Sequence, residues 1–376
     1  MTSPTEPQIR TALARVDDPE IGRPITELNM VETLDIDGEG RVAVGILLTV
    51  AGCPLRAKIS DDIRAAVTAV PGVAGVEIDF GVMSEEQRRS LRIQLRGPES
   101  ESVSALVQPD SPTRVYCVVS GKGGVGKSSV TVNLAVALAR RGLRVGLMDA
   151  DVHGHSVPAM LGITTAPTLV ESMIMSPTAF GVRVVSIGMF VDDNAPVVWR
   201  GPMLHRALQQ FVSDVYWGEL DILLIDMPPG TGDVAISLAQ LLPTAQLLVV
   251  TTPQRTAARI AERAGAVAAQ TGQRVAGIIE NMSWYDSPDG TRQTLFGAGG
   301  ATAVSRALSG LLGTYCPVIG RIPFDPVVCA AGDQGAPFVD TDPHCAPALA
   351  IGEIAATIAP IVRRPLSVTP VSPVPA

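Results

Sequence analysis

The sequence predicts a doubly wound α/β fold, a parallel sheet with helices on both faces, preceded by a small α/β unit. Three observations lead there. Aliphatic runs alternate with helical segments through residues 114–364, the pattern of βαβ crossovers. Aromatic residues make up only 4% of the chain, so Ala, Val, Leu and Ile must supply the core, as buried parallel strands require. A glycine-rich turn at 121–128 joins the first aliphatic run of the larger unit to a helical segment.

The elements follow in order. At 376 residues the chain fits about two domains. The first spans 1–96. Ile9, Leu13 and Val16 recur at helical spacing until Asp17-Asp18-Pro19-Glu20 breaks the pattern. Residues 42–50 read as a strand, 57–70 as a helix stopped before Pro71-Gly72, 73–80 as a strand and 91–95 as a short last strand. Residues 97–113 are rich in Pro, Ser and Glu and read as a linker. In 114–364 the expected strands are 115–120, 144–149, 182–187, 221–226, 246–251, 275–280 and 317–322, with helices at 130–141, 255–269 and 345–362. The stretch 365–376 holds four prolines and reads as a disordered tail.

Composition narrows the function classes. Hydrophobic residues at 46% against 18% charged describe a well-buried folded chain. A net charge of −8 argues against a nucleic-acid partner held by phosphate neutralisation. The start, Met1-Thr2-Ser3-Pro4, has neither a basic stretch nor an apolar core, and no run reaches the ~18 apolar residues of a membrane span. The expectation is a cytoplasmic protein without a membrane partner. Five cysteines (Cys53, Cys117, Cys316, Cys329, Cys345) contain no C-x-x-C pair and predict no disulfide framework.

Gly121-Lys122-Gly123-Gly124-Val125-Gly126-Lys127-Ser128 matches G-x-x-x-x-G-K-[ST] between a strand and a helix. Its glycines let backbone N–H groups, through Ser129, turn inward around phosphates at a helix N-terminus. Lys127 neutralises the β- and γ-phosphates, and the Ser128 hydroxyl completes a Mg2+ shell, so ATP or GTP with Mg2+ is the expected ligand. Gly121, Gly123 and Gly126 also satisfy the dinucleotide pattern G-x-G-x-x-G, with Asp149 near the ribose-binding position; Lys127-Ser128, useless to a dinucleotide loop, decides against it.

Acids end the neighbouring strands. Asp149-Ala150-Asp151 follows the second strand of the larger unit, as a metal-phosphate site needs, or as a helix cap. Leu220-Asp221-Ile222-Leu223-Leu224-Ile225-Asp226 is an apolar strand ending in an acid, placing Asp226 to hold Mg2+ through water. In Met227-Pro228-Pro229-Gly230-Thr231-Gly232-Asp233, Gly230 can offer its N–H to the γ-phosphate. Asn281 ends a later strand, where a carboxamide can read a purine or simply form a turn.

These residues resemble the Mrp/ApbC ATPases, nucleotide-dependent iron-sulfur cluster carriers of the MinD/Mrp class with its deviant Walker A loop. The resemblance covers nearly the whole chain. It rests on 120–128, Asp149-Ala150-Asp151-Val152, Trp199-Arg200-Gly201-Pro202-Met203, 214–221, 226–233, Glu280-Asn281-Met282-Ser283 and Phe296-Gly297-Ala298-Gly299-Gly300. It implies that Lys122, the extra loop lysine, reaches the nucleotide of a partner subunit in a homodimer. It implies too that Asp151 orients the attacking water while Asp149 lies nearer the metal, with Lys127, Asp151 and Lys122 as the catalytic set of a slow ATPase. Iron-sulfur client or assembly proteins would be the partners.

The N-terminal unit is similar to the small domain of iron-sulfur assembly factors, through Asp18-Pro19-Glu20 and Leu48-Thr49-Val50-Ala51-Gly52-Cys53-Pro54. Cys53, after a strand and before a helix start, is placed to favour a thiolate and is the one cluster ligand to name, with a buried apolar cysteine as the alternative. The chain departs from its cluster-carrying relatives where they place a C-x-x-C pair. Its Ser283-Trp284-Tyr285-Asp286-Ser287-Pro288-Asp289-Gly290 has no cysteine. His153 and His155 also depart from the usual loop and read as polar loop residues or metal ligands. Three functions stay open: an ATP-driven iron-sulfur carrier, a nucleotide-driven switch or scaffold that holds no cluster, and a MinD- or ParA-like positioning ATPase. The last would need a basic amphipathic tail or a DNA-binding surface that 365–376 lacks.

Overall fold

The computed structural model describes residues 4–50, 53, 55–96, 106, 108, 111–151, 154, 156–190, 201–230, 232–254 and 268–359. The N-terminal unit runs α1 (Glu6–Leu13), β1 (Val31–Ile36), β2 (Arg41–Leu48), α2 (Arg56–Thr68), β3 (Gly75–Val82) and α3 (Glu85–Arg96). β2 is the central strand, antiparallel to β1 and parallel to β3. Two sequence readings change here. β1 was not expected, and 91–95 is no strand but the last turns of α3. Ser84 and Gln87 start that helix by exchanging hydrogen bonds between side chain and backbone N–H, at 3.2 and 2.8 Å. Glu85 and Glu86 in the first turn and Arg96 in the last suit the helix dipole.

The larger unit begins with β4 (Arg114–Val119), α4 (Lys127–Arg140), β5 (Val145–Asp149), α5 (Val157–Met160), β6 (Thr168–Val170), β7 (Met173–Met175), β8 (Thr178–Ala179) and β9 (Val182–Ser186). It continues with α6 (Gly201–Ser213), β10 (Val215–Tyr216), β11 (Ile222–Asp226), α7 (Asp233–Leu241), β12 (Gln246–Thr251) and β13 (Val275–Glu280). A hairpin, β14 (Tyr285–Asp286) and β15 (Arg292–Gln293), precedes α8 (Gly300–Leu312), β16 (Val318–Arg321), α9 (Pro326–Asp333), α10 (Phe338–Thr341) and α11 (Ala346–Ile358). The sheet order is β16-β13-β12-β4-β11-β5-β9-β8, parallel except for the edge strand β8. Every residue of β5 and β11 is buried, because helices cover both faces and leave no side for polar residues. One face packs α4 and α11, the other α6, α7 and α8. Most of the helix expected at 255–269, and the C-terminal stretch beyond 359, lie outside the described residues.

From β4 the chain crosses to β5 and later returns to β12 on the other side. The loop after β4 therefore opens at the point where the winding reverses, the usual ligand crevice of such sheets. The two units share a core: Ile9, Leu13, Ile46, Ile59 and Ile63 of the first pack with Val170, Met173, Met175 and Tyr216 of the second. Arg183 on β9 reinforces the joint, donating to the Glu20 carbonyl at 2.5 Å and the Ile21 carbonyl at 2.9 Å. Its guanidinium lies 5.5 Å from the centre of the Tyr216 ring. The Thr168 hydroxyl donates to the Glu20 carboxylate at 3.1 Å.

Candidate functional site

The loop between β4 and α4 turns on two glycines with positive φ, Gly124 (77°) and Gly126 (78°), the second capping α4. A side chain at Gly126 is further barred, since its Cβ would fall 2.3 Å from Asn281 Nδ2. α4 thus presents its first N–H groups and Lys127 toward the crevice, where phosphate is favoured.

Register delivers the acids. Asp226 ends β11 in line with Asp149 at the end of β5 and Val118 on β4. Lys127 Nζ sits 2.8 Å from Asp226 Oδ2 and 3.9 Å from Asp151 Oδ2, all three side chains buried. The Ser128 hydroxyl donates to Asp226 Oδ2 at 2.5 Å. Thr131 Oγ1, one turn on, lies 2.8 Å from Asp226 Oδ1 and 2.8 Å from the Lys127 carbonyl. Asp149 accepts from the Ser186 hydroxyl at 2.9 Å and the Asp151 N–H at 3.1 Å. Burial, and then the neighbouring Asp226 carboxylate, push Asp149 up to about 7, against the pull of those two donors and Lys127. Asp151 also accepts from the Gly154 N–H at 3.1 Å. Val152, His153 and His155 lie outside the described residues, so the histidine reading does too.

The remaining loop groups already have protein partners. Lys122 Nζ donates to Gln254 Oε1 at 2.8 Å, and the Ser120 hydroxyl donates to the Lys122 carbonyl at 3.1 Å. Gly230, at φ 99°, gives its N–H to the Ser120 carbonyl at 3.0 Å. Asn281 is buried, and its Nδ2 donates to the Val125 carbonyl at 3.0 Å. Here that carboxamide braces the phosphate loop with one of its two N–H donors. The structure thus brings residues 121–129, Asp149, Asp151, Asp226, Gly230 and Asn281 to one crevice. Sequence reasoning passed over Gln254, Ser186 and Thr131. The signal for Thr131 was its place one helical turn after Lys127; Gln254 carried none beyond following a strand end.

Cys53 stays with the N-terminal unit, half-buried against its core. The expected thiolate is corrected: burial raises the thiol, and the Glu20 and Asp18 carboxylates add to it. The Leu55 and Arg56 N–H groups at the helix start only partly offset this. Among the described residues no three His, Cys, Asp or Glu side chains form a ready metal cage. The Ser128 hydroxyl with Asp226 and Asp149 still fits Mg2+, which takes few protein ligands and completes its shell with water and phosphate.

The fold and this loop define a nucleotide-binding P-loop protein. Residues 111–359 match the family described as NUBPL iron-transfer P-loop NTPase, and residues 6–79 match that of the iron-sulfur cluster assembly protein. The chain is 59% identical over 338 residues to the iron-sulfur cluster carrier protein of Mycobacterium tuberculosis (strain ATCC 25618 / H37Rv), covering 90% of this chain and 89% of that one. It is 40% identical over 365 residues to that of Bacillus subtilis (strain 168), covering 96% and 99%. A solved nucleotide-binding protein from Archaeoglobus fulgidus, in complex with ADP, superposes with a TM-score of 0.51 at 30% identity, over 70% of this chain and 99% of that one. The chain belongs to the NUBPL iron-transfer P-loop NTPase family.

Proposed function

We propose that the chain binds and slowly hydrolyses ATP and, as a nucleotide-bridged homodimer, carries iron-sulfur clusters to recipient apoproteins. The observation that carries this is the Lys127–Ser128–Asp226 constellation at the mouth of α4. The main-chain amides of 121–129 grip the phosphates. Lys127 leaves Asp226 for the β- and γ-oxygens, and Ser128, Asp226 and Asp149 would hold Mg2+. When bound, Mg2+ supplies charge neutralisation across the phosphates. Asp151 orients the water, Gly230 turns its N–H from the Ser120 carbonyl to the γ-phosphate, and Lys122 reaches the partner's nucleotide. The water oxygen bonds to the γ-phosphorus as the bridge to the β-phosphate breaks; ADP leaves and the water's proton passes to the released phosphate, with no covalent enzyme intermediate, so the catalysis is mainly electrostatic. The names of the relatives support the carrier role, and the two family matches support residues 1–96 and 114–364 as its working parts, joined by 97–113.

The cluster is cargo, and Cys53 is the thiol proposed to meet it, giving up its proton as iron binds. A second reading, a nucleotide-driven switch that never holds a cluster, is favoured by one observation. Segment 283–290 has no cysteine, and its hairpin is closed by Asp286–Arg292 bonds at 2.8 and 3.0 Å. Anaerobic reconstitution of the full chain, read by iron and sulfide content, separates the two. The carrier reading expects a cluster on wild type that is lost in Cys53→Ser. A cluster that survives Cys53→Ser removes that ligand, and no cluster on wild type leaves the switch.

A further inference from the structure

Lys122 is the loop lysine that phosphate binding within one protomer does not need, and it is not free. Its ammonium, half-buried, donates to Gln254 Oε1 at 2.8 Å across 132 residues of sequence. Gln254 stands just past the end of β12, the neighbour of the strand that feeds the phosphate loop, so both partners leave the same edge of the sheet.

The backbone below Gln254 is held in place. A Cβ on Gly300, at the start of α8, would fall 2.3 Å from the Thr252 carbonyl oxygen and 2.8 Å from the Pro253 carbonyl carbon, so only glycine lets the helix seat there. The Glu280 carboxylate accepts from the Ala301 N–H at 2.7 Å and pins that helix start from the other side. This accounts for the glycine at 300 in the Phe296–Gly300 motif, which the nucleotide chemistry alone left unexplained.

The acceptor's chemistry matters as much as its place. A carboxamide directs an ammonium group without cancelling its charge, whereas a carboxylate would neutralise it and hold it harder. We propose that Gln254 is the positioning residue of Lys122. It keeps the ammonium on its own protomer until the nucleotide of a second copy offers phosphate oxygens, and association then exchanges amide for phosphate. This rests on the nucleotide-bridged homodimer proposed above.

Sedimentation velocity of the full chain with a non-hydrolysable Mg·ATP analogue tests it, comparing wild type, Gln254→Ala and Gln254→Glu. Calorimetry at dilute protein reads the affinity of the single protomer for the same analogue. Gln254→Glu weakens association about fivefold per protomer, hence about 25-fold for a dimer that must release two lysines. Gln254→Ala strengthens association about twofold per protomer. Protomer affinity and melting temperature stay at wild-type values in both variants, which a merely structural role for Gln254 would not allow. If the two variants shift association in the same direction, or not at all, while wild type associates, the positioning role is wrong and the homodimer stands. If wild type itself does not associate, both fall together.

Discussion

Lys127 stands between two buried carboxylates, its Nζ 2.8 Å from Asp226 and 3.9 Å from Asp151. The ammonium is the counter-charge that lets these acids stay buried together. The same side chain thus serves stability in one state and ligand binding in the other.

Lys127→Ala removes both roles. Binding of Mg·ATP, read by calorimetry, is expected to vanish. The nucleotide-free protein is expected to lose about 3–5 kcal/mol in urea denaturation, because two buried carboxylates keep their desolvation cost without the lysine's counter-charge. Unchanged binding would contradict the site assignment, and unchanged stability the counter-charge role.

Asn281→Ala tests whether that carboxamide reads a base or braces the loop. Losing the bond to the Val125 carbonyl is expected to weaken ATP and GTP binding alike by about tenfold, about 1.4 kcal/mol, with their ratio preserved. A selective loss of ATP affinity would restore the purine-reading role.

Arg183→Met tests the joint between the units. It removes two charge-assisted bonds to the Glu20 and Ile21 carbonyls and the contact with the Tyr216 ring. The expected cost is about 2–4 kcal/mol, with faster hydrogen exchange in residues 18–22 and unaltered Mg·ATP affinity. Wild-type exchange there would show that the shared apolar core alone holds the joint.

Glu20 gives the joint a pH dependence. Burial, then the Asp18 carboxylate, push Glu20 up to about 7, while Thr168 and Arg183 pull it down. Because the folded value lies above the ordinary 4.5, the folded state binds the proton more tightly. The contribution is fully present below about pH 4.5, fades as pH rises toward 7 and is absent above that; its full size is about 3 kcal/mol. Glu20→Gln, uncharged throughout, is therefore expected to gain on wild type in urea denaturation at pH 8 and lose that advantage at pH 5. An advantage independent of pH would remove Glu20 as the titrating group.

Much of the nucleotide crevice was legible because its parts are local. Lys127 and Ser128 follow their glycines within one turn, and Asp149 and Asp226 each end an aliphatic run, so strand polarity alone sends them to the same edge. β1 was missed because its burial is mixed, and α3 was mistaken because Leu91-Arg92-Ile93-Gln94-Leu95 alternates like a strand while its helix start lies upstream, at Ser84 and Gln87. Cys53 was misjudged since a helix start is visible in sequence, but the Asp18 and Glu20 carboxylates and the burial that raise its thiol are not.

By itself, then, the chain determined the parallel strands of its main sheet, its phosphate loop and the acids at the strand ends, since hydrophobic period and backbone freedom act between near neighbours. Only the tertiary structure decided that Gln254 holds Lys122, that Arg183 clasps the Glu20 turn, and that Val170, Met173, Met175 and Tyr216 complete the first unit's core. Those partners are brought together by the order of strands in the sheet and the burial of a shared apolar face, and no short stretch of sequence encodes either.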